Sequence, residues 1–248
     1  MLKIYTADLH IHSCLSPCGD LDMSPRKIVA TAMARGLDII AITDHNASEN
    51  IVAAMKAAAS TPVTVLPGME VASAEEVHLL ALFDGLEPMA QFQKIVYENL
   101  GSFGIDPRTS AEQVIVNEND EVEGFNERLL FGASSLSFEQ LVAEVHRLNG
   151  LAIASHIDRE SFSIIGQLGF IPDDVPLDAL EISYHTSLEQ ARALYPDARR
   201  FPLIRNSDAH YPDEIGRQIT RFVLGQPTLE EIKLALKHYQ GRKILDVE

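Results

Sequence analysis

Leu37–His45 reads LDIIAITDH. Leu37 to Thr43 is a short apolar run rich in β-branched side chains, the pattern of a strand buried on both faces of a parallel sheet. An acid and an imidazole, Asp44 and His45, follow at once. This pairing of a buried strand with polar residues at its C-terminal end recurs along the chain. Lys3–His10 (KIYTADLH) leads through Asp8-Leu9-His10-Ile11-His12. Val63–Glu70 ends in Pro67-Gly68-Met69-Glu70, and Val77–Phe83 carries His78. Leu151–Ser155 (LAIAS) runs into His156-Ile157-Asp158-Arg159, Leu180–Tyr184 into His185, and Leu203–Asn206 into Ser207-Asp208-Ala209-His210. Arg221–Leu224 is a further strand.

Helix signals lie between these strands. Ser24 is placed as an N-cap with Pro25 in the first turn, and Gly36 stops the helix after Arg35. Ala47–Ala59 is alanine-rich, Phe138–Leu148 ends at Gly150, and Thr228–His238 opens on a capping threonine. Repeated βα units predict an α/β fold with a mostly parallel sheet, closed or nearly closed into a barrel. The 248 residues suit one domain over 1–248. From about Asp84 to Ser137 the pattern weakens. The segment is polar and acidic, and Asn117–Glu123 (NENDEVE) reads as solvated. Residues 84–137 are expected to be an insertion or cap over the barrel mouth, or else a long helical excursion.

Composition narrows the partners. Hydrophobic residues make up 46% of the chain, enough for a full core. With 20 Lys and Arg against 36 Asp and Glu, the formal net charge is −16. Such a surface repels phosphate backbones, which disfavours nucleic acid beyond short nucleotides unless metal ions reverse the charge locally. Cys14 and Cys18 are the two cysteines, four positions apart, so no disulfide framework is expected. No signal pattern opens the sequence and no apolar run approaches a membrane span. These features lead us to expect a soluble, cytoplasmic protein, and they leave the oligomeric state open.

The chemistry lies in where the nine histidines fall. His10 and His12 are two apart, so in a strand they point the same way and reach one ion. His45, Glu70, His78, His156, Asp208 and His210 all sit at or beside strand ends, and C-terminal strand ends of a parallel barrel converge on one face. Each alone has an ordinary structural explanation: His45 as a helix cap, Asp208 as a turn residue, His156 as a satisfied core histidine. Their repetition at successive strand ends points to a shared site. Buried imidazoles and carboxylates without compensating cations need metal ions to be tolerable. Imidazole with carboxylate suits Zn, Mn or Fe better than Mg or Ca, and the number of donors exceeds the needs of one ion. Two or three ions of this kind clamp phosphate oxygens and generate hydroxide for in-line attack. His146 and His238 read as surface residues, and His185 as a residue able to face the site.

The ordered set His10-x-His12, Thr43-Asp44-His45, Glu70, His78, His156 and Asp208-x-His210 resembles the PHP (polymerase and histidinol phosphatase) superfamily. The resemblance covers nearly the whole chain outside 84–137. It implies a distorted, TIM-like (β/α)7 barrel holding up to three metals. By resemblance, the first metal takes His10, His12, Glu70 and Asp208. Glu70 bridges to a second with His78 and His156. The third takes His45, His210 and a residue from the loop after His12. Family members place His or Asp in that loop; here Cys18 lies nearest the expected position, and Asp20 is the alternative. Arg159 resembles a position that contacts substrate phosphate, and Asp44 one that orients a ligand or water. His185 is a further candidate for binding substrate.

The expected activity is metal-dependent hydrolysis of a small phosphomonoester or nucleotide, with Asp44 and Arg159 assisting catalysis. The alternatives are a nuclease or phosphodiesterase acting on nucleotide ends, and a metal-binding regulatory module without turnover.

Overall fold

The computed structural model describes residues 1–101 and 112–245. In chain order its elements are β1 (Lys3–Ile11), α1 (Pro25–Ala34), β2 (Ile39–Ile42), α2 (Ile51–Ala58), β3 (Thr64–Ala72), β4 (His78–Leu82) and α3 (Leu86–Asn99). There follow β5 (Val114–Val116), β6 (Val122–Phe125), α4 (Phe138–Arg147), β7 (Leu151–Ala154), α5 (Ile164–Leu168) and β8 (Ala179–Ile182). The last are α6 (Leu188–Leu194), β9 (Leu203–Arg205), β10 (Thr220–Leu224), α7 (Leu229–Leu236) and β11 (Lys243–Leu245). Among the described residues no helix is long and apolar enough to cross a membrane.

Nine strands form one sheet in the order β11-β10-β1-β2-β3-β4-β7-β8-β9. The seven from β1 to β9 build the wall of a distorted TIM-like barrel. Its seam closes where Ile11 bridges Ala209 in parallel. There the His12 N–H donates to the Ala209 carbonyl at 3.0 Å and the Ala209 N–H to the His10 carbonyl at 3.3 Å. Away from the seam, β10 pairs antiparallel with Lys3–Ala7 of β1, and β11 pairs with β10.

The sheet is not mostly parallel, as the alternation of elements predicts. The pairs β1–β2, β2–β3, β7–β8 and β8–β9 are parallel, and the other four are antiparallel. The reason is local. Only Ser73–Val77 separates β3 from β4, and a parallel crossover needs about a dozen residues or more. The two strands therefore form a hairpin, closed by the Ser73 N–H donating to the Val77 carbonyl.

Two apolar layers hold the barrel. Ala7, Leu9, Ile39, Ala41, Leu66, Leu80, Leu82, Leu151, Ile153 and Phe222 belong to one buried cluster, the barrel interior. Residues that alternate with them, such as Ile40, Ile42, Leu79 and Ala81, join a second cluster with helical side chains including Ile28, Phe92 and Val145. Burying each Leu, Ile or Phe contributes roughly 1.5–3 kcal/mol. Gly68 sits where three strands crowd, since a Cβ there would lie 2.7 Å from Leu82 Cδ2 and 2.8 Å from Thr43 Cγ2.

Segment 84–137, expected as an insertion or cap or else a long helical excursion, includes residues 102–111, which lie outside the described residues. It contains α3 and then the β5–β6 hairpin, stitched to the barrel's strand-end loops. The Cys14 carbonyl accepts from the Val114 N–H, and the Asn50 side chain bonds the Val114 carbonyl and the Val116 N–H. Asn46 donates to the carbonyls of Leu130 and Gly132. These duties keep residues 46–50 out of the helix that their alanine-rich surroundings predict, so α2 begins only at Ile51.

Candidate metal centre

A β-bulge aims the first two histidines. Asp8 pairs with Ile40 and Ile11 with Ile42, so β1 carries one residue more than β2 across this interval. Simple alternation from Leu9 would put Ile11 inside the barrel and both histidines outside. The extra residue resets the phase, packs Ile11 into the outer layer, and turns His10 and His12 inward. Both are fully buried.

They meet Glu70 from β3 and Asp208 from the loop after β9. His10 Nε2 lies 3.2 Å from His12 Nε2, 3.4 Å from Glu70 Oε2 and 3.3 Å from Asp208 Oδ1. His12 Nε2 lies 3.3 Å from each of those two oxygens. A tetrahedral ion with metal–ligand bonds of about 2.0–2.1 Å has ligands about 3.3 Å apart. The donor atoms of His10, His12 and Asp208 all lie within 4.8 Å of one another, and these three fit a divalent transition metal, with Glu70 Oε2 against both imidazoles.

Glu70 faces two ways. Its Oε2 serves that group and also lies 3.2 Å from His45 Nδ1. Its Oε1 lies 3.0 Å from His78 Nδ1 and 3.1 Å from His156 Nε2. This is the geometry of a carboxylate shared between neighbouring ions. A further group joins His12, His45 and His210 with Cys18, their donor atoms all within 4.8 Å of one another. Asp20 does not join it; its carboxylate accepts from the Asp22 N–H and caps its own turn.

The local electrostatics act on these groups in opposite senses. Burial would lower the His12 imidazole, but Asp208 and Glu70 outweigh it and raise its pKa to about 9. Burial would raise the Glu70 carboxyl, but His78, His10 and His45 hold it well below the usual range. Burial, assisted by the charge on His12, lowers His210 to about 4. His210 is therefore a free base at neutral pH, the form that binds metal.

Two buried carboxylates support the histidines from behind. Glu181 on β8 accepts from His10 Nδ1, its oxygens at 3.0 and 3.1 Å. It also accepts from the His156 N–H and from the Asn206 side chain. Asp44 accepts from the Ser13 N–H, the Ser13 hydroxyl and the Ser16 hydroxyl. Ser16 Oγ in turn lies 2.9 Å from His12 Nδ1. The Asp44 side chain thus meets His12 through Ser16, and its backbone carbonyl accepts from the Glu70 N–H at 3.2 Å. The sequence reading gives Glu181 no role, although a lone acid inside the apolar strand Leu180–Tyr184 was a usable signal. Glu181→Gln keeps the shape but removes the charge. It is expected to weaken metal binding by about 10- to 100-fold with the fold intact. Zinc titration of the metal-free variant by calorimetry checks this, and wild-type affinity would mean that His10 is oriented without Glu181.

Arg159 reaches the cluster. Its Nη2 lies 2.5 Å from Asp208 Oδ2, while the adjacent Asp158 is occupied by the Ser183 N–H and hydroxyl. His185 does not join the donors; its ring packs on Tyr184 with centroids 3.9 Å apart. His146 pairs with Asp178 at 2.8 Å on the barrel exterior. Backbone strain gathers at the site: His156 has φ +25° and Asp208 φ +49°. Residues held in such conformations cluster at functional sites.

Known proteins share this architecture. The uncharacterised protein YqxK of Bacillus subtilis is 24% identical over 276 residues, an alignment covering 99% of this chain and 65% of YqxK. The novel lesion-specific endonuclease EndoQ from Pyrococcus furiosus superposes with a TM-score of 0.69 at 23% identity, over 98% of this chain and 58% of that one. A two-domain protein from Bacteroides vulgatus, containing a predicted PHP-like metal-dependent phosphoesterase, superposes with a TM-score of 0.56 at 16% identity, over 98% of this chain and 65% of that one. The chain thus spans less than two thirds of the length of these relatives. The family model for the PHP domain matches residues 8–163, a span holding His10, His12, His45, Glu70, His78 and His156, and the chain belongs to the PHP domain family.

Proposed function

We propose that this chain hydrolyses phosphate esters, with a small phosphomonoester or nucleotide as its substrate. One observation supports this reading above the rest: Glu70 presents each oxygen to a different set of imidazoles at ligand-edge spacing, beside an arginine. His10, His12, Asp208 and Glu70 Oε2 would hold one ion, and Glu70 Oε1, His78 and His156 a second. His45, His210 and Cys18 would hold a third. Bound Zn, Mn or Fe would supply Lewis acidity toward phosphate oxygens and lower the pKa of water.

The remaining chemistry belongs to the chain itself. Arg159 stays protonated and offers a fork of N–H donors to two phosphate oxygens. Glu181 and Asp44 fix the ring orientations of His10 and His12, so little reorganisation is needed as charge develops on the phosphate. The barrel wall and residues 13–20 exclude bulk water from the histidines, most of which are buried.

The fold shared with a lesion-specific endonuclease supports a second reading, in which the ester is a phosphodiester at a nucleotide end. One screen separates the two. Purified protein with Mn, Zn or Fe is offered sugar phosphates, nucleotides, amino-acid phosphates and phosphodiesters. Metal-dependent release of phosphate from a monoester is the expected result. Cleavage of diesters alone would favour the second reading, and no hydrolysis of any ester would remove both.

Cys18 tests the third position. A thiolate binds Zn or Fe more strongly than a hydroxyl does. Cys18→Ser is expected to lose about one ion per chain and keep the others, as read by elemental analysis. Unchanged metal content would make Cys18 a bystander and return attention to Asp20.

A further inference from the structure

The loop from His156 to Ser163, between β7 and α5, sends three different side chains to the metal centre. His156 lies against Glu70. Arg159 lies against Asp208. Phe162 stacks on His78, with ring centroids 4.7 Å apart and planes at 16°.

Phe162 is costly to hold there. Its φ is +59°, a left-handed conformation in which a bulky side chain is a genuine outlier. It is also 43% exposed, so no apolar burial accounts for it. The surroundings nonetheless lock it in place. The His78 N–H donates to the Phe162 carbonyl at 2.9 Å. Next to it, the Ser163 hydroxyl donates to the Arg159 carbonyl at 2.6 Å and accepts from the Gly166 N–H at 2.9 Å. Gly166 can carry no side chain, because a Cβ would lie 2.3 Å from the Glu160 carbonyl oxygen. The ring is thus held against His78 while the residue stays 43% exposed.

A further exposed ring follows one of the clustered histidines in the chain. Tyr211 directly follows His210 and is 51% exposed. Tyr184, by contrast, is already covered, with the Arg217 guanidinium carbon 3.8 Å from its ring centroid and the His185 ring packed on it at 3.9 Å. Arg217 also donates to the Ser207 carbonyl, behind Asp208. Aromatic faces beside a phosphate-binding centre are what a flat, neutral base requires, because every base has a π-face to stack. A sugar or aliphatic phosphate has no flat π-face to stack on them.

We infer that the substrate is a nucleoside phosphate whose base stacks on the Phe162 ring while Arg159 and the metal centre take its phosphate. This rests on the phosphoester reading above and adds the class of the ester's other half. The same chemistry is offered by a free nucleotide and by the unpaired end of an oligonucleotide.

The test compares kcat/KM for adenosine 5′-monophosphate, a 5′-phosphorylated tetradeoxynucleotide and ribose 5-phosphate, using the full chain loaded with Mn or Zn. Stacking predicts that a substrate carrying a base exceeds ribose 5-phosphate by about 10- to 100-fold. The better of the two base-carrying substrates identifies the source. Phe162→Leu should collapse that ratio toward one, and Phe162→Tyr should preserve it. A general loss of structure would lower all three rates together and leave the ratio unchanged. Equal rates for all three substrates in the wild type, or a ratio untouched in a Phe162→Leu variant that keeps the wild-type rate on ribose 5-phosphate, would overturn the stacking role while leaving phosphoester hydrolysis standing. Failure to hydrolyse any of the three would overturn both.

Discussion

Glu70→Gln is expected to remove at least two ions from the protein and to lower kcat/KM by about 10³-fold or more. Loss of a single charge-stabilising donor costs about 10²- to 10³-fold, and Glu70 faces two metal positions at once. Its Oε2 lies within 3.4 Å of His10, His12 and His45, and its Oε1 within 3.1 Å of His78 and His156. A glutamine keeps the volume but offers one neutral oxygen, and its amide nitrogen would oppose one set of imidazoles. Asp44→Asn is the matched control. The Asp44 side chain meets His12 through Ser16, so its loss should cost about 10- to 100-fold in metal affinity, the scale of a supporting hydrogen bond. Elemental analysis and kinetics on both variants decide the order. Equal or reversed effects would refute a bridging role for Glu70.

The second large effect is expected at Arg159. Arg159→Ala should leave metal content intact and lower kcat/KM by about 10²-fold. The guanidinium is a third exposed and pairs with Asp208 at 2.5 Å, which places its N–H donors beside the metal positions. Arginine has no lone pair to give an ion, so its removal should spare the metals. If Arg159 only formed an exposed ion pair, worth about 0–1 kcal/mol, activity would be nearly unchanged. Lost metal would instead mean that Asp208 needs the guanidinium to keep its conformation at φ +49°.

Much of the site could be read before the fold was known. Strand ends announced themselves because several buried runs, such as Leu37–Thr43, lead at once or within two residues to a titratable residue. In a closed barrel those ends have only one place to meet. The fine geometry was not legible for physical reasons. A His-x-His pattern fixes that two rings share a face but not which face; that depends on the bulge between Asp8 and Ile11, which no periodicity reveals. The β3–β4 hairpin was implied by the short gap from Ala72 to His78 but hidden by the expectation of βα repetition. Glu181 looked like one acid in a strand, and only its approach to His10, 171 positions away in the chain, shows its duty. The β5–β6 hairpin was obscured because its strands, Val114–Val116 and Val122–Phe125, are only three and four residues long and depend on Asn50 and Cys14 for anchorage. Phe162 escaped notice since nothing in a sequence marks a left-handed φ at phenylalanine.

Metal content of the purified chain is the measurement that weighs most. Elemental analysis after purification without chelator, followed by zinc titration of the stripped protein, should find at least two transition-metal ions per chain, with a third that Cys18→Ser removes. The ions should also raise the melting temperature, because a ligand that binds only the folded state stabilises it by mass action. No bound metal, no uptake on titration and no change in melting would contradict the reading of His10, His12, Glu70 and Asp208 as a metal centre.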